Sequence, residues 1–96
     1  MLMNTTINWL LSQKMVKYIW GIKMLKYKIG ERIKQLRVAK LFMNQDEFAR
    51  KLGLDKTYLC RIESGKQNIT IETLQIICNG LGISLSDFFS VFTDSN

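Results

Sequence analysis

The chain of 96 residues has no histidine and no proline, and its two cysteines, Cys60 and Cys78, lie far apart. Without imidazole there is neither the usual general base nor the commonest zinc ligand, and two distant thiols form no metal-binding pair. No metal, cofactor or catalytic residue is therefore expected, and an enzyme is disfavoured. Isolated thiols fit a reducing, cytoplasmic setting, with Cys78 a small core hydrophobe and Cys60 a surface thiol. The missing proline goes with the absence of any proline-rich linker, repeat or low-complexity tract. No stretch reaches the roughly 18 uninterrupted apolar residues of a membrane span. Lysines break every apolar run near the start and no small-residue cleavage site follows, which excludes a secretory leader.

Charge is missing on one side at each end. Residues 1–28 hold five lysines and no acid, a net +5, whereas residues 70–96 hold Glu72, Asp87 and Asp94 and no base, a net −3. Residues 29–69 carry nine Lys and Arg against five acids, a net +4, and the three parts recover the total of +6. A basic centre beside an acidic end is the footprint of a nucleic-acid binder that pairs through its other end; a solvated basic surface is the alternative reading. A hydrophobic content of 47% suffices for one small domain with its own core.

The stretch 45–64, QDEFARKLGLDKTYLCRIES, reads as two short helices joined by a tight turn. Asn44 and Glu47 have the capping-box spacing for a helix start, and Phe48, Ala49 and Leu52 fall on one face. Gly53 suits the left-handed residue that ends a helix. Asp55 is then a cap for a second helix with Leu59 and Ile62 inward. Its outer face is Lys56, Thr57, Cys60, Arg61 and Ser64, a cationic, hydrogen-bonding surface of the kind phosphates and base edges require.

The flanks complete an all-α chain with no convincing alternating strand. In residues 1–28, a basic amphipathic extension, Ile7, Leu11, Met15, Tyr18, Ile22 and Leu25 follow helical spacing from about Ile7 to Lys26, weakened by Gly21. Three roles stand for it: packing on the domain or a partner subunit, lying on a membrane surface, or preceding an internal start at Met24. Lysines among Trp9, Tyr18, Trp20 and Tyr27 suit the second. The domain proper is placed at residues 29–92, with a first helix from Gly30 to about Lys40 and a connector from Leu41 to Met43. Ile29, Ile33 and Leu36 face inward, and Glu31, Arg32, Lys34 and Arg37 outward. Gly65, Lys66, Gln67 and Asn68 form a polar loop placed to grip a phosphate backbone. Thr70 caps a fourth helix with Leu74, Ile77, Cys78 and Leu81 inward, and Gly80 and Gly82 mark its end. Ser84 opens a fifth helix. Leu85, Phe88, Phe89, Val91 and Phe92 run nearly all round it, and this surplus is read as a dimer interface of Ile76, Leu85, Phe88, Phe89 and Phe92. Residues 93–96, with Asp94, Ser95 and Asn96, form a frayed tail.

Gln45, Ala49, Gly53, Leu59 and Ile62 occupy positions one, five, nine, fifteen and eighteen of the phage-repressor-like (XRE) helix-turn-helix motif, continued by Glu63, Ser64, Gly65 and Lys66. The chain resembles that family. With the run from Asp55 to Tyr58, Gln67 to Ile71 and the closing Phe88 and Phe89, it looks most like controller proteins of bacterial restriction–modification systems. The resemblance covers roughly Ile29 to Phe92; the N-terminal extension, which such controllers usually lack, departs from it.

The resemblance implies a five-helix, repressor-like domain, here with an extra N-terminal amphipathic helix. It implies a homodimer that binds double-stranded DNA at an inverted repeat, with recognition helices about 34 Å apart, and that regulates its own operon. Lys56, Thr57 and Arg61 would then reach base edges. Gln45, Tyr58, Ser64, Lys66, Gln67 and Asn68 would hold the backbone, and Glu63 would pair with Arg37. RNA polymerase is a candidate partner, and no membrane is expected. Two alternatives stay open: a general XRE repressor or antitoxin acting with a protein partner, and a membrane-surface protein anchored by residues 7–26.

Overall fold

The computed structural model describes residues 2–92, with side chains from residue 12 onward. Asp94 to Asn96 and the side chains of Ile7, Trp9 and Leu11 lie outside the described residues. Five α-helices appear, joined by short turns: α1 (Leu2–Leu36), α2 (Gln45–Leu52), α3 (Lys56–Glu63), α4 (Ile71–Leu81) and α5 (Leu85–Phe89). A π-helical turn, Arg37–Leu41, follows α1, and a 3-10 turn, Ser90–Phe92, follows α5.

The N-terminal extension is not a separate helix. It runs without a break into the helix expected to start at Gly30, because no proline or side-chain cap intervenes and glycine weakens a helix by only about 1 kcal/mol. Gly30 sits there for a different reason. A Cβ built on it would lie 2.3 Å from the carbonyl oxygen of Ile62 and 2.6 Å from that of Glu63, so α1 and α3 cross at this point with nothing between their backbones. From Met15 to Leu25 the helix is exposed and does not fold back on the domain, which gives a molecule 59 Å long.

The other helices begin where the side chains direct. Asn44 accepts from the Glu47 amide while Glu47 accepts from the Asn44 amide, a complete capping box. Asp55, Thr70 and Ser84 cap α3, α4 and α5 with the side-chain half of that arrangement alone, each accepting from the amide three residues on and worth about 1 kcal/mol. Gly53 closes α2 with a left-handed φ of 71°, as its position in the turn requires. Phe42 occupies the same region at 55° without glycine's freedom, ending the π turn.

Ile29, Ile33, Phe48, Ala49, Leu59, Ile62, Leu74, Ile77, Cys78, Leu81 and Phe88 form the core. Phe88 is fully buried, which places it in that core and not on a face open to a second chain. Ile76, Phe89 and Val91 do remain exposed. The three phenylalanines of the tail pack edge-on or tilted, with ring centroids 5.1 to 6.1 Å apart. Among the described residues no single helix is long and apolar enough to cross a membrane.

Cys78 is buried and Cys60 exposed. Burial pushes the Cys78 thiol up, with the Arg32 charge opposing in part. One fast-reacting thiol per native chain, at Cys60, is expected from an Ellman titration, and two after unfolding. Two fast thiols in the native protein would contradict the packing around α4.

Candidate nucleic-acid interface

The outer surface of α3 is built by what holds its inner one. Leu59 and Ile62 are buried, Asp55 fixes the first turn, and the last turn closes with the Lys66 amide bonded to the Arg61 carbonyl at 2.9 Å. Lys56, Thr57, Cys60, Arg61 and Ser64 are consequently left on the solvent side, all exposed. These are the outward residues expected from the sequence, and they share one face.

Beneath this face lies a buried ion pair. Arg37 donates from Nε to Glu63 Oε2 and from a terminal nitrogen to Oε1, both at 2.8 Å, and its other terminal nitrogen donates to the Met43 carbonyl at 2.8 Å. The Gln45 side-chain amide donates to Glu63 Oε1 at 2.9 Å. One carboxylate thus ties α2 and the π turn that follows α1 to α3. Arg37, expected to face outward on spacing, is buried.

The polar residues around the face divide into tethered and free. Arg61 donates from Nε to Gln67 Oε1 at 3.0 Å and from a terminal nitrogen to the Lys66 carbonyl at 3.3 Å, so its guanidinium lies along the following loop. Gln67 in turn donates to the Asn68 carbonyl at 3.3 Å. The Ser64 hydroxyl donates to the Arg61 carbonyl at 3.2 Å. Gln45, expected to hold a phosphate, spends its side-chain amide on Glu63 instead; what it offers an anion is its backbone N–H in the first turn of α2, which has no intrahelical acceptor. Tyr58 is half-buried and packs against the core. Asn68 is exposed.

Sequence spacing alone does not single out Lys34. It lines a shallow cavity of about 230 Å³ with Gln45, Cys60, Glu63 and Ser64, at the edge of the recognition face. The signal that finds it is the series Gly30, Lys34, Arg37, a single side of α1 and of the π turn that continues it, turned to α3. Conversely, much of the positive charge is structural. Lys51 donates to the Gly80 carbonyl and Lys40 to the Gly82 carbonyl at the end of α4, and Arg32 donates to the Asp87 and Phe88 carbonyls of α5. Cations at helix C-termini complement the dipole and the unsatisfied carbonyls there.

Residues 33–88 match the Helix-turn-helix (HTH_3) family. The chain is 42% identical over 66 residues to control protein C.MunI of Mycoplasma sp, covering 69% of this chain and 89% of the relative. It is 30% identical over 67 residues to control protein C.BamHI of Bacillus amyloliquefaciens, covering 70% and 83%. The wild-type restriction–modification controller protein C.Esp1396I superposes with a TM-score of 0.64 at 39% identity, over 70% of this chain and 87% of that one. The same controller as a tetramer with its natural 35 base-pair operator matches equally well, again at 0.64 and 39%. The motif, the α2–α3 geometry and these likenesses agree: the chain belongs to the phage-repressor-like (XRE) helix-turn-helix family, alongside the controller proteins of restriction–modification systems.

Proposed function

We propose that this protein is a transcriptional regulator that binds the promoter DNA of its own restriction–modification operon as a homodimer. The observation that carries the reading is the outer face of α3. Two side chains long enough to reach base edges, Lys56 and Arg61, and the short hydroxyl of Thr57 are presented together on a helix whose inner side is locked to the core. A controller of similar fold with its operator supports it.

In this reading Lys56, Thr57 and Arg61 read bases, and Arg61 leaves Gln67 to make a two-pronged contact with guanine. Lys66, Asn68, Ser64, Tyr58, Lys34 and the α2 N-terminus hold phosphates, and Gln67 braces the loop. Ile76, Phe89 and Val91, with the half-buried Leu85 and Phe92, form the contact between protomers. The operator is an inverted repeat, the setting is cytoplasmic, and RNA polymerase is the next partner at the promoter. No chemistry is assigned to the chain.

Arg61→Ala is expected to weaken the cognate site by about 1–3 kcal/mol and to blunt base preference, while Lys66→Ala weakens cognate and scrambled duplexes alike. Fluorescence anisotropy on both duplexes decides it. Equal losses on both for Arg61→Ala would remove that residue from base reading. A second reading, a partner-bound regulator, has a likeness to Antitoxin PezA of Streptococcus pneumoniae behind it, at 37% identity but over only 37% of that protein. Operator binding by the purified chain alone separates the two.

A further inference from the structure

Of the three side chains assigned to base edges, Arg61 alone is already bonded to its own chain. Lys56 and Thr57 make no side-chain hydrogen bond among the described residues. Arg61 gives two neighbouring donors, Nε and one terminal nitrogen, to two oxygens of the following loop: Gln67 Oε1 at 3.0 Å and the Lys66 carbonyl at 3.3 Å. Guanine shows the same pattern in the major groove, with O6 and N7 as adjacent acceptors. The loop is thus an internal copy of what Arg61 would meet on DNA.

The two acceptors are held in place from several sides. Gly65 makes the turn with a left-handed φ of 76°, and a Cβ on it would lie 2.9 Å from the Cα of Tyr27, so the loop rests directly on α1. The Lys66 amide bonds the Arg61 carbonyl at 2.9 Å while the Lys66 carbonyl takes the Arg61 side chain, which joins residues 61 and 66 at both ends. Gln67 donates from its side-chain nitrogen to the Asn68 carbonyl at 3.3 Å, and that bond turns its oxygen toward Arg61. A long, exposed guanidinium therefore faces a fixed pair of oxygens.

We propose that this loop competes with DNA for Arg61, and that Gln67 is a positioning residue that sets how tightly the operator is held. The inference rests on the reading of α3 as the base-reading helix. At a guanine, Arg61 exchanges two acceptors for two. Adenine and thymine offer it one acceptor each and cytosine a donor, so on those bases it stays with the loop. A bond that must be given up subtracts from affinity, because only molecules with Arg61 released are ready to read. The subtraction falls on the cognate duplex, where the exchange takes place. Removing the Gln67 oxygen should therefore tighten operator binding, the opposite of what losing a phosphate contact would do.

Fluorescence anisotropy of the full chain on the duplex upstream of its gene and on a scrambled duplex tests this, together with NMR of the Arg61 Nε–H in the free protein. Gln67→Ala is expected to bind the cognate duplex roughly 3–10-fold more tightly and the scrambled one within about twofold of the unaltered chain. Gln67→Glu, whose charged oxygen holds a guanidinium more strongly, should weaken cognate binding more than scrambled binding. In an Arg61→Ala background, Gln67→Ala should change nothing. Weaker cognate binding by Gln67→Ala, or the same gain with Arg61 absent, overturns the proposal. Equal tightening on both duplexes also overturns it, since the freed Arg61 would then be serving phosphates. If the unaltered chain does not prefer the cognate duplex, the reading of α3 fails and the competition fails with it. An Arg61 Nε–H resonance that Gln67→Ala leaves in place overturns the loop bond and leaves that reading intact.

Discussion

Glu63→Ala is expected to cost about 3–5 kcal/mol of folding stability, much of what a domain of this size has. The carboxylate side chain is 2% exposed and receives both prongs of Arg37 together with the Gln45 amide. Cutting it to a methyl leaves the guanidinium, itself 8% exposed, with the Met43 carbonyl as its remaining acceptor. An uncompensated charge inside the protein is far more costly than a missing pair. Arg37→Met combined with Glu63→Leu should consequently lose much less than Glu63→Ala alone. Urea unfolding of the variants measures both, and a loss below about 1 kcal/mol for Glu63→Ala would show the pair to be solvated. The damage reaches the outer face of α3, because this carboxylate sets where α3 sits on α2 and the π turn.

Gly30→Ala is the second large effect, and local propensity gives it the wrong sign. Inside a helix, alanine is favoured over glycine by about 1 kcal/mol. Here the new methyl would meet the backbone oxygens of Ile62 and Glu63 and the Glu63 carbonyl carbon within 2.8 Å. Backbone cannot rotate out of the way as a side chain does, so α1 and α3 must part and the Arg37–Glu63 pair must stretch. A net loss of about 3 kcal/mol is expected, at the upper end of overpacking. The same substitution nine residues earlier is the control. Nothing lies within 4 Å of a Cβ at Gly21, so Gly21→Ala should raise helix content and leave the core unstrained. Thermal unfolding followed by circular dichroism compares them, and equal shifts would refute the close crossing.

The legible parts of this fold are those fixed by a few neighbouring residues. Asn44, Asp55, Thr70 and Ser84 announce helix starts because a short oxygen-bearing side chain just before an apolar period has few other uses. Leu59, Ile62, Leu74, Ile77, Cys78 and Leu81 are where their spacing puts them. The Arg37–Glu63 pair follows from family resemblance, since its partners are too distant in sequence for local pattern to join. What escaped depends on tertiary contact. Gly30 looked like a boundary, and it is a crossing point. Phe88 looked like surplus on a crowded short helix, and it fills the core beneath Arg32, whose guanidinium carbon lies 6.0 Å from the ring centroid. The outward set on α3 was legible because helix periodicity fixes it. The engagement of Gln45 and Gln67 was not, since an amide serves a phosphate or a neighbouring side chain equally well.

The cations held on helix ends have a consequence for the ionic-strength dependence of DNA binding. Each phosphate that a protein neutralises releases about 0.9 of a counterion, and the binding constant falls with added salt in proportion. Taken from the sequence, the nine Lys and Arg of residues 29–69 imply a log–log slope of about −8 for each protomer. Six of them, Arg32, Arg37, Lys40, Arg50, Lys51 and Arg61, already have carbonyl or carboxylate partners within the chain, and of these Arg61 is the one on the outer face of α3. Counting Arg61, which exchanges its loop contact for DNA, with Lys34, Lys56 and Lys66 gives an expected slope of about −4 per protomer. A protein with a sequence pI of about 9.6 would thus release roughly half the ions that its composition promises.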